Sequence, residues 1–147
     1  MKLTDFITQA HRATYASGAS PTVDSQGAHR FNYEVENFTY EDTYYGGAFF
    51  IGTEVVRENG RPIWGMNYYG RILNDDINRG DLFSFLREML TRGEPGMLLR
   101  GPKKYKRKSW SYRYSYKGTL GNFTAQETIK YQGKKAYIAH LAGGSIE

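Results

Sequence analysis

The chain has 147 residues, no cysteine, three histidines and a formal net charge of +5. That length suits a single domain spanning residues 1–147, with enough apolar content for an ordinary core. The absence of cysteine excludes a disulfide framework, cysteine-ligated zinc and a thiolate nucleophile, and His11, His29 and His140 lack metal-ligand spacing, so no metal is expected.

The opening residues, Met1-Lys2-Leu3-Thr4-Asp5, carry an early acid and no apolar core of a signal peptide. No stretch reaches the length of a membrane span, so a cytoplasmic protein with no membrane partner is expected. Leu3, Phe6, Ile7 and Ala10 recur at helical spacing and predict a helix over about 3–14, with Thr4 or Asp5 as its cap. Residues 17–29 are rich in Gly, Ser, Pro and Asp and read as a loop. Alternation then predicts strands over 31–35 and 38–44. Two more strands, 48–58 and 62–73, are joined by Asn59-Gly60, whose residues tolerate the positive φ of a tight hairpin turn. A second helix carries Leu82, Phe85, Leu86, Met89 and Leu90 on one stripe, capped by Asp81 and stopped by Thr91-Arg92-Gly93. A basic loop follows. Trp110, Tyr112, Tyr114 and Tyr116 then alternate with polar residues, and strands at about 120–131 and 134–142 flank Gln132-Gly133.

The order of helix, aromatic strand and hairpin occurs twice. An offset of 73 superposes Phe50 on Phe123, Glu54 on Glu127, Gly60 on Gly133 and Gly70 on Gly143. The expected fold is therefore α+β, an internally duplicated helix-plus-antiparallel-sheet unit. Its halves run over 1–76 and 77–147, with two helices packed on a largely antiparallel sheet.

Side chains alternate faces along a strand. Phe123, Ala125, Glu127, Ile129 and Tyr131 share one face, so Glu127 falls among apolar neighbours. Glu54 falls at the matching place beside Phe50, Gly52 and Val56. A carboxylate there is costly unless paired, hydrogen-bonded or protonated. With a two-residue turn at Asn59-Gly60, Glu54 opposes Gly65 and Gly52 opposes Asn67, which puts Asn67 and Tyr69 on the face of Glu54. The same count sets Glu127 opposite Ile138 with His140 diagonal to it. Gly52 and Gly65 then leave room for a ligand. The expected site is a pocket floored by Glu54, Asn67, Glu127 and His140 and walled by Tyr44, Tyr69 and Trp64. The alternative is that each Glu is an internal acceptor in a structural network.

Charge is uneven. The first 94 residues hold 13 acids and 9 bases, whereas no acid occurs from Pro95 to Gln126. Lys103, Lys104, Lys106, Arg107 and Lys108 lead into the aromatic strand, a composition suited to phosphate contact and base stacking or to a solvated loop. No glycine-rich phosphate loop and no Gly-x-Ser-x-Gly elbow occurs, and no cofactor is expected.

The runs Phe50-Ile51-Gly52-Thr53-Glu54-Val55-Val56 and Pro62-Ile63-Trp64-Gly65-Met66-Asn67-Tyr68-Tyr69-Gly70-Arg71 resemble an uncharacterised bacterial domain family. Thr14-Tyr15-Ala16, Asp42-Thr43-Tyr44, Arg100-Gly101-Pro102, Gln126-Glu127 and Gly143-Gly144 extend the resemblance over nearly the whole chain. That family is catalogued as a domain of unknown function, and its members stand alone or behind a helix-turn-helix of the Cro/repressor kind. The ending departs at Ala142, where the family pattern has a histidine. Such fusions imply effector sensing, and the duplicated plan is similar in architecture to effector-binding domains of the gyrase-inhibitor type, which meet cationic ligands at a central carboxylate.

Three functions are open at this point. The first is binding of a small, cationic or amine-bearing ligand by the two Glu and the aromatic faces. The second is a hydrolase-type enzyme in which Glu54 and Glu127 serve as acid and base. The third is nucleic-acid binding through residues 100–117. An open sheet edge also invites pairing into a homodimer.

Overall fold

The computed structural model describes residues 1–93 and 99–147. Helix α1 (Leu3–Ala13) and a single 3₁₀ turn (Tyr15–Ser17) precede strands β1 (Thr22–Val23), β2 (His29–Val35), β3 (Phe38–Gly46), β4 (Phe49–Glu58) and β5 (Arg61–Ile72). Helix α2 (Arg79–Thr91) then leads to β6 (Lys104–Arg107), β7 (Trp110–Thr119), β8 (Asn122–Tyr131) and β9 (Lys134–Ser145). All strands join one antiparallel sheet in the order β1-β2-β3-β4-β5-β9-β8-β7-β6. The fold is α+β and mostly sheet. No helix among the described residues is long and apolar enough to cross a membrane.

Each helix buries the stripe its spacing predicts. Phe6, Ile7 and Ala10 of α1 and Leu82, Phe85, Leu86 and Met89 of α2 enter one core with Tyr40, Val56, Trp64, Tyr112 and Ile129 from the sheet. Burying such a side chain contributes roughly 1.5–3 kcal/mol, so packing rather than local propensity decides where these helices sit. The capping differs from expectation. Asn78, not Asp81, caps α2: its side chain accepts the Asp81 N–H at 3.0 Å. Lys2 stands at the start of α1 without a side-chain cap. Part of the expected basic loop is strand β6, paired with β7 from Lys104↔Arg113 to Arg107↔Trp110.

Both hairpin turns form at the expected dipeptides, with φ of 50° and 79° at Asn59 and Gly60 and of 51° and 78° at Gln132 and Gly133. The strands leaving them do not keep the expected register. Arg57 pairs with Pro62 but Val56 with Trp64, which leaves Ile63 as an extra residue in β5. Lys130 pairs with Lys135 but Ile129 with Tyr137, which leaves Ala136 extra in β9. A bulge adds one residue to one strand and reverses the facing of everything beyond it. Glu54 therefore opposes Met66 rather than Gly65, Gly52 opposes Tyr68 rather than Asn67, and Glu127 opposes Ala139 rather than Ile138.

The inner face is packed with aromatic rings laid over glycines. A Cβ on Gly52 would lie 2.3 Å from the Tyr68 hydroxyl oxygen, and one on Gly70 would lie 2.3 Å from the Phe50 ring. The space beside Gly52 is thus filled by the Tyr68 phenol. Gly52→Ala is expected to destabilise the fold by about 1–3 kcal/mol in urea unfolding, because Tyr68 must move. Gly47→Ala meets nothing within 4 Å and is expected to stay within about 0.5 kcal/mol of the parent.

Candidate functional site

Alternation on β3 turns Phe38, Tyr40, Asp42 and Tyr44 toward the helices, and on β4 it turns Phe50, Gly52, Glu54 and Val56 the same way. Asp42 and Glu54 face each other across the ladder. Each is at most 5% exposed, so two neighbouring carboxyl groups are drawn out of water together. A cavity of ≈ 220 Å³ lies above them. Helix α1 contributes His11, α2 contributes Phe83, Leu86, Arg87 and Leu90, and Arg100 and Tyr137 close the far side.

Glu54 meets His11, whose Nε2 lies 2.9 Å from Oε2. The Nδ1 of His11 lies 3.1 Å from the Leu99 carbonyl oxygen, which can only accept, so that nitrogen carries a proton; facing an ionised Glu54, Nε2 carries the other and the imidazole is a cation. Burial opposes that charge, but the Glu54 carboxylate outweighs burial and raises the His11 pKa. Burial would likewise raise Glu54. The charge and hydrogen bond of His11, with Tyr40 beside them, reverse this and hold it below the usual carboxylate range.

Asp42 is left with less. Its Oδ1 accepts a 2.5 Å hydrogen bond from the Tyr68 hydroxyl, and it has no ion-pair partner among the described residues. Burial first and the Glu54 charge second push its carboxyl up to about 7.

Glu127 has no exposed surface. Arg100 grips it with two bonds, Nε to Oε2 at 3.1 Å and Nη2 to Oε1 at 2.7 Å. Tyr112 donates to Oε2 at 2.5 Å and Tyr137 to Oε1 at 3.1 Å. Burial and the Glu127 charge raise both phenols well above their ordinary value, which keeps them protonated as donors. This cluster sits behind the cavity: Arg100 and Tyr137 line it and Glu127 does not.

Among the expected site residues, Glu54 and Tyr44 border this cavity. Trp64 is buried in the core, stacked on Phe123 at 6.1 Å with its Nε1 donating to the Leu120 carbonyl. Asn67, Tyr69 and His140 project from the other face of the sheet, reversed by the two bulges. The basic stretch divides: Lys104 and Lys106 are exposed, whereas Arg107 pairs with Glu88 of α2 and lies over the Phe85 ring. Lys103 and Lys108 are exposed at the ends of β6.

Several residues of the site were not anticipated, Asp42, His11 and Arg100 among them. Asp42 stands on the aromatic face of its strand, a signal of the kind that singled out Glu54. His11 lies one helical turn after the buried Ile7, at the margin of the apolar stripe. Arg100 follows a stretch without periodicity, and nothing near it in sequence points to Glu127.

A family model described as a domain of unknown function, DUF5680, matches residues 42–146. The chain belongs to that family. No curated protein and no solved structure matches it. The DUF5680 span opens on Asp42 and takes in Glu54, Tyr68, Arg100, Glu127 and Tyr137. His11 of α1 precedes that span.

The charges give this DUF5680 chain a directed pH dependence. Asp42 titrates near 3.8 when unfolded and near 7 when folded, so between those values the folded chain holds a proton the unfolded chain has lost. Stability should fall as pH rises from 4 to 7, by roughly 3–4 kcal/mol from this group. His11, also raised, acts in the same direction. Glu54 acts oppositely, losing its contribution as pH falls through its lowered value. Urea unfolding across this range should show the decline, and Asp42→Asn should flatten it. Arg100→Ala, which strands a buried carboxylate, should cost about 3–5 kcal/mol in the same assay.

Proposed function

We propose that this chain binds a small molecule bearing a cationic, amine-type group in the cavity between the helices and the sheet, with Asp42 as the counter-charge. The carrying observation is the state of the three buried carboxyl groups. Glu54 is matched by His11 and Glu127 by Arg100, while among the described residues Asp42 is hydrogen-bonded by a neutral hydroxyl and has no ion-pair partner. A bound ammonium group would supply the missing cation and recover the desolvation cost of Asp42. Tyr15, Tyr40, Tyr44, Phe50 and Tyr137 wall the space, and their faces would add cation–π attraction of about 0.5–2 kcal/mol. A cavity of this size admits a small metabolite rather than a polymer. A cytoplasmic, effector-sensing role accords with this chemistry.

A hydrolase is the second reading, and its carboxyl pair would be Asp42 and Glu54 rather than Glu54 and Glu127. The two face each other on adjacent strands, and their surroundings move them apart, one up and one down. Separated acidities of this kind suit an acid and a base.

We also propose that the chain arose by internal duplication. Ile63 and Ala136, the two bulged residues, stand 73 apart, as do Glu54 and Glu127. Tyr68 and Leu141, again 73 apart, pair with each other at the β5–β9 junction, where a twofold axis relating the halves would pass. From β2 to β6 the strand order is mirrored about that junction, and β1 has no counterpart.

Titration with alkyl- and arylalkylamines, followed by thermal shift and calorimetry, tests the binding reading. An amine should raise the melting temperature, and Asp42→Asn should abolish the response. Because the cation needs ionised Asp42, affinity should fall about tenfold per pH unit below 7, with proton release on binding. A response from neutral isosteres alone, or one unchanged in Asp42→Asn, would refute the assignment.

A further inference from the structure

The helices cover one face of the sheet, and the other face has its own chemical order. Cross-strand pairing aligns Tyr45, Ile51, Tyr69, His140, Gln126 and Ser115 in one row from β3 to β7. The next row on one side runs Phe49, Arg71, Ile138, Thr128, Arg113, Lys104. On the other side run Thr43, Thr53, Asn67, Ala142, Thr124 and Lys117. The central part of this face is a trough of ≈ 930 Å³. Tyr45, Ile51 and Tyr69 are 47%, 56% and 41% exposed along it, well beyond what a covered sheet face shows.

The charge is segregated. Glu34 and Glu41 lie toward β2 and β3, while from β9 to β6 no residue on this face is acidic and Lys104, Lys106, Arg113, Lys117 and Lys130 are exposed. Lys104 stands directly opposite Arg113. Like charges so placed repel and destabilise a sheet. Among the described residues no acid relieves them, so the surface is complementary to an anion. The one acid of β6–β9, Glu127, is buried on the opposite side and already paired.

We propose that this uncovered face binds single-stranded nucleic acid. Tyr69 and His140, directly opposite each other on β5 and β9, form the stacking platform. Asn67, Thr124 and Gln126 present hydrogen-bonding groups to base edges, and Lys104, Arg113 and Lys117 take the phosphates. The platform and the outermost cation are four strands apart, roughly 19 Å at the usual strand spacing. That span suits a strand of about four nucleotides or more lying across the sheet. Stacking tolerates any base, since each has a π-face, so recognition is by single-strandedness rather than sequence. A duplex offers no unstacked base to Tyr69. A lipid surface would call for apolar groups where this face has Thr, Ser, Lys and Arg. The inference is independent of the amine site, which lies on the other face.

Fluorescence anisotropy with labelled oligo-dT and oligo-U of about 12 nucleotides tests it on the full chain. Both should bind, with log affinity falling linearly in log salt. Tyr69→Ala should weaken binding roughly tenfold and leave the salt slope unchanged. The double substitution Lys104→Ala, Arg113→Ala should weaken it and lower the slope by about one unit or more. Arg12→Ala, on the helical layer, should change neither. Absence of binding at low salt, equal or tighter binding to duplex DNA or anionic phosphatidylglycerol vesicles, or insensitivity to Tyr69→Ala would each overturn the proposal.

Discussion

A carboxylate taken wholly out of water must find its counter-charge and its hydrogen bonds inside the fold, and Glu127 imposes that condition on half of this molecule. Arg100 supplies the charge through a two-pronged contact. Tyr112 and Tyr137 fill the remaining acceptor positions. The Tyr112 hydroxyl also accepts the Gly101 N–H at 3.2 Å, which ties the segment after α2 to the sheet. A buried pair of this kind gains little over an apolar pair of the same shape. What it secures is position: one long side chain, anchored at its tip, becomes a wall of the cavity.

The same constraint, met differently, defines the rest of the site. Glu54 finds its cation on α1, in the His11 ring held between a carboxylate and a backbone carbonyl. Asp42, across the ladder from Glu54, finds a phenol and, among the described residues, no ion-pair partner. Two acids so close in a dry place cannot ionise with equal ease. The asymmetry between them comes from the helix, which reaches one and not the other. Sheet pairing sets the carboxyl groups side by side, and packing of the helical layer divides their acidities.

A two-layer fold leaves one sheet face uncovered, and here that face is not neutral ground. The helices fill the inner side with aromatic rings laid over glycines. The outer side keeps tyrosines, hydroxyl and amide side chains and the exposed basic residues Lys104, Lys106, Arg113, Lys117 and Lys130. The two faces share strands but differ in chemistry, because alternation assigns consecutive residues to opposite environments.

Both helices, the longer strands and the hairpin turns were legible because each has a local cause: the apolar stripes of α1 and α2, the alternation of the strands, the positive φ tolerated at Asn59-Gly60 and Gln132-Gly133; the short strands β1 and β6 fell in stretches read as loops. The burial of Glu54 and Glu127 was legible for the same reason, since an acid at an inward position is conspicuous among alternating aromatics. The register was not. Ile63 and Ala136 are ordinary strand residues, and nothing in their neighbourhood announces that each is skipped by its partner strand. That single slip in each hairpin carried Asn67, Tyr69 and His140 to the outer face. Nor could the sequence place Arg100 on Glu127, 27 residues away, or His11 on Glu54, 43 residues away. By itself the chain determined which residues of each strand share a face, because periodicity is a local property. Only tertiary structure decided which inward residues meet, because that depends on strand register and on how helices dock, and both are settled by contacts between distant segments.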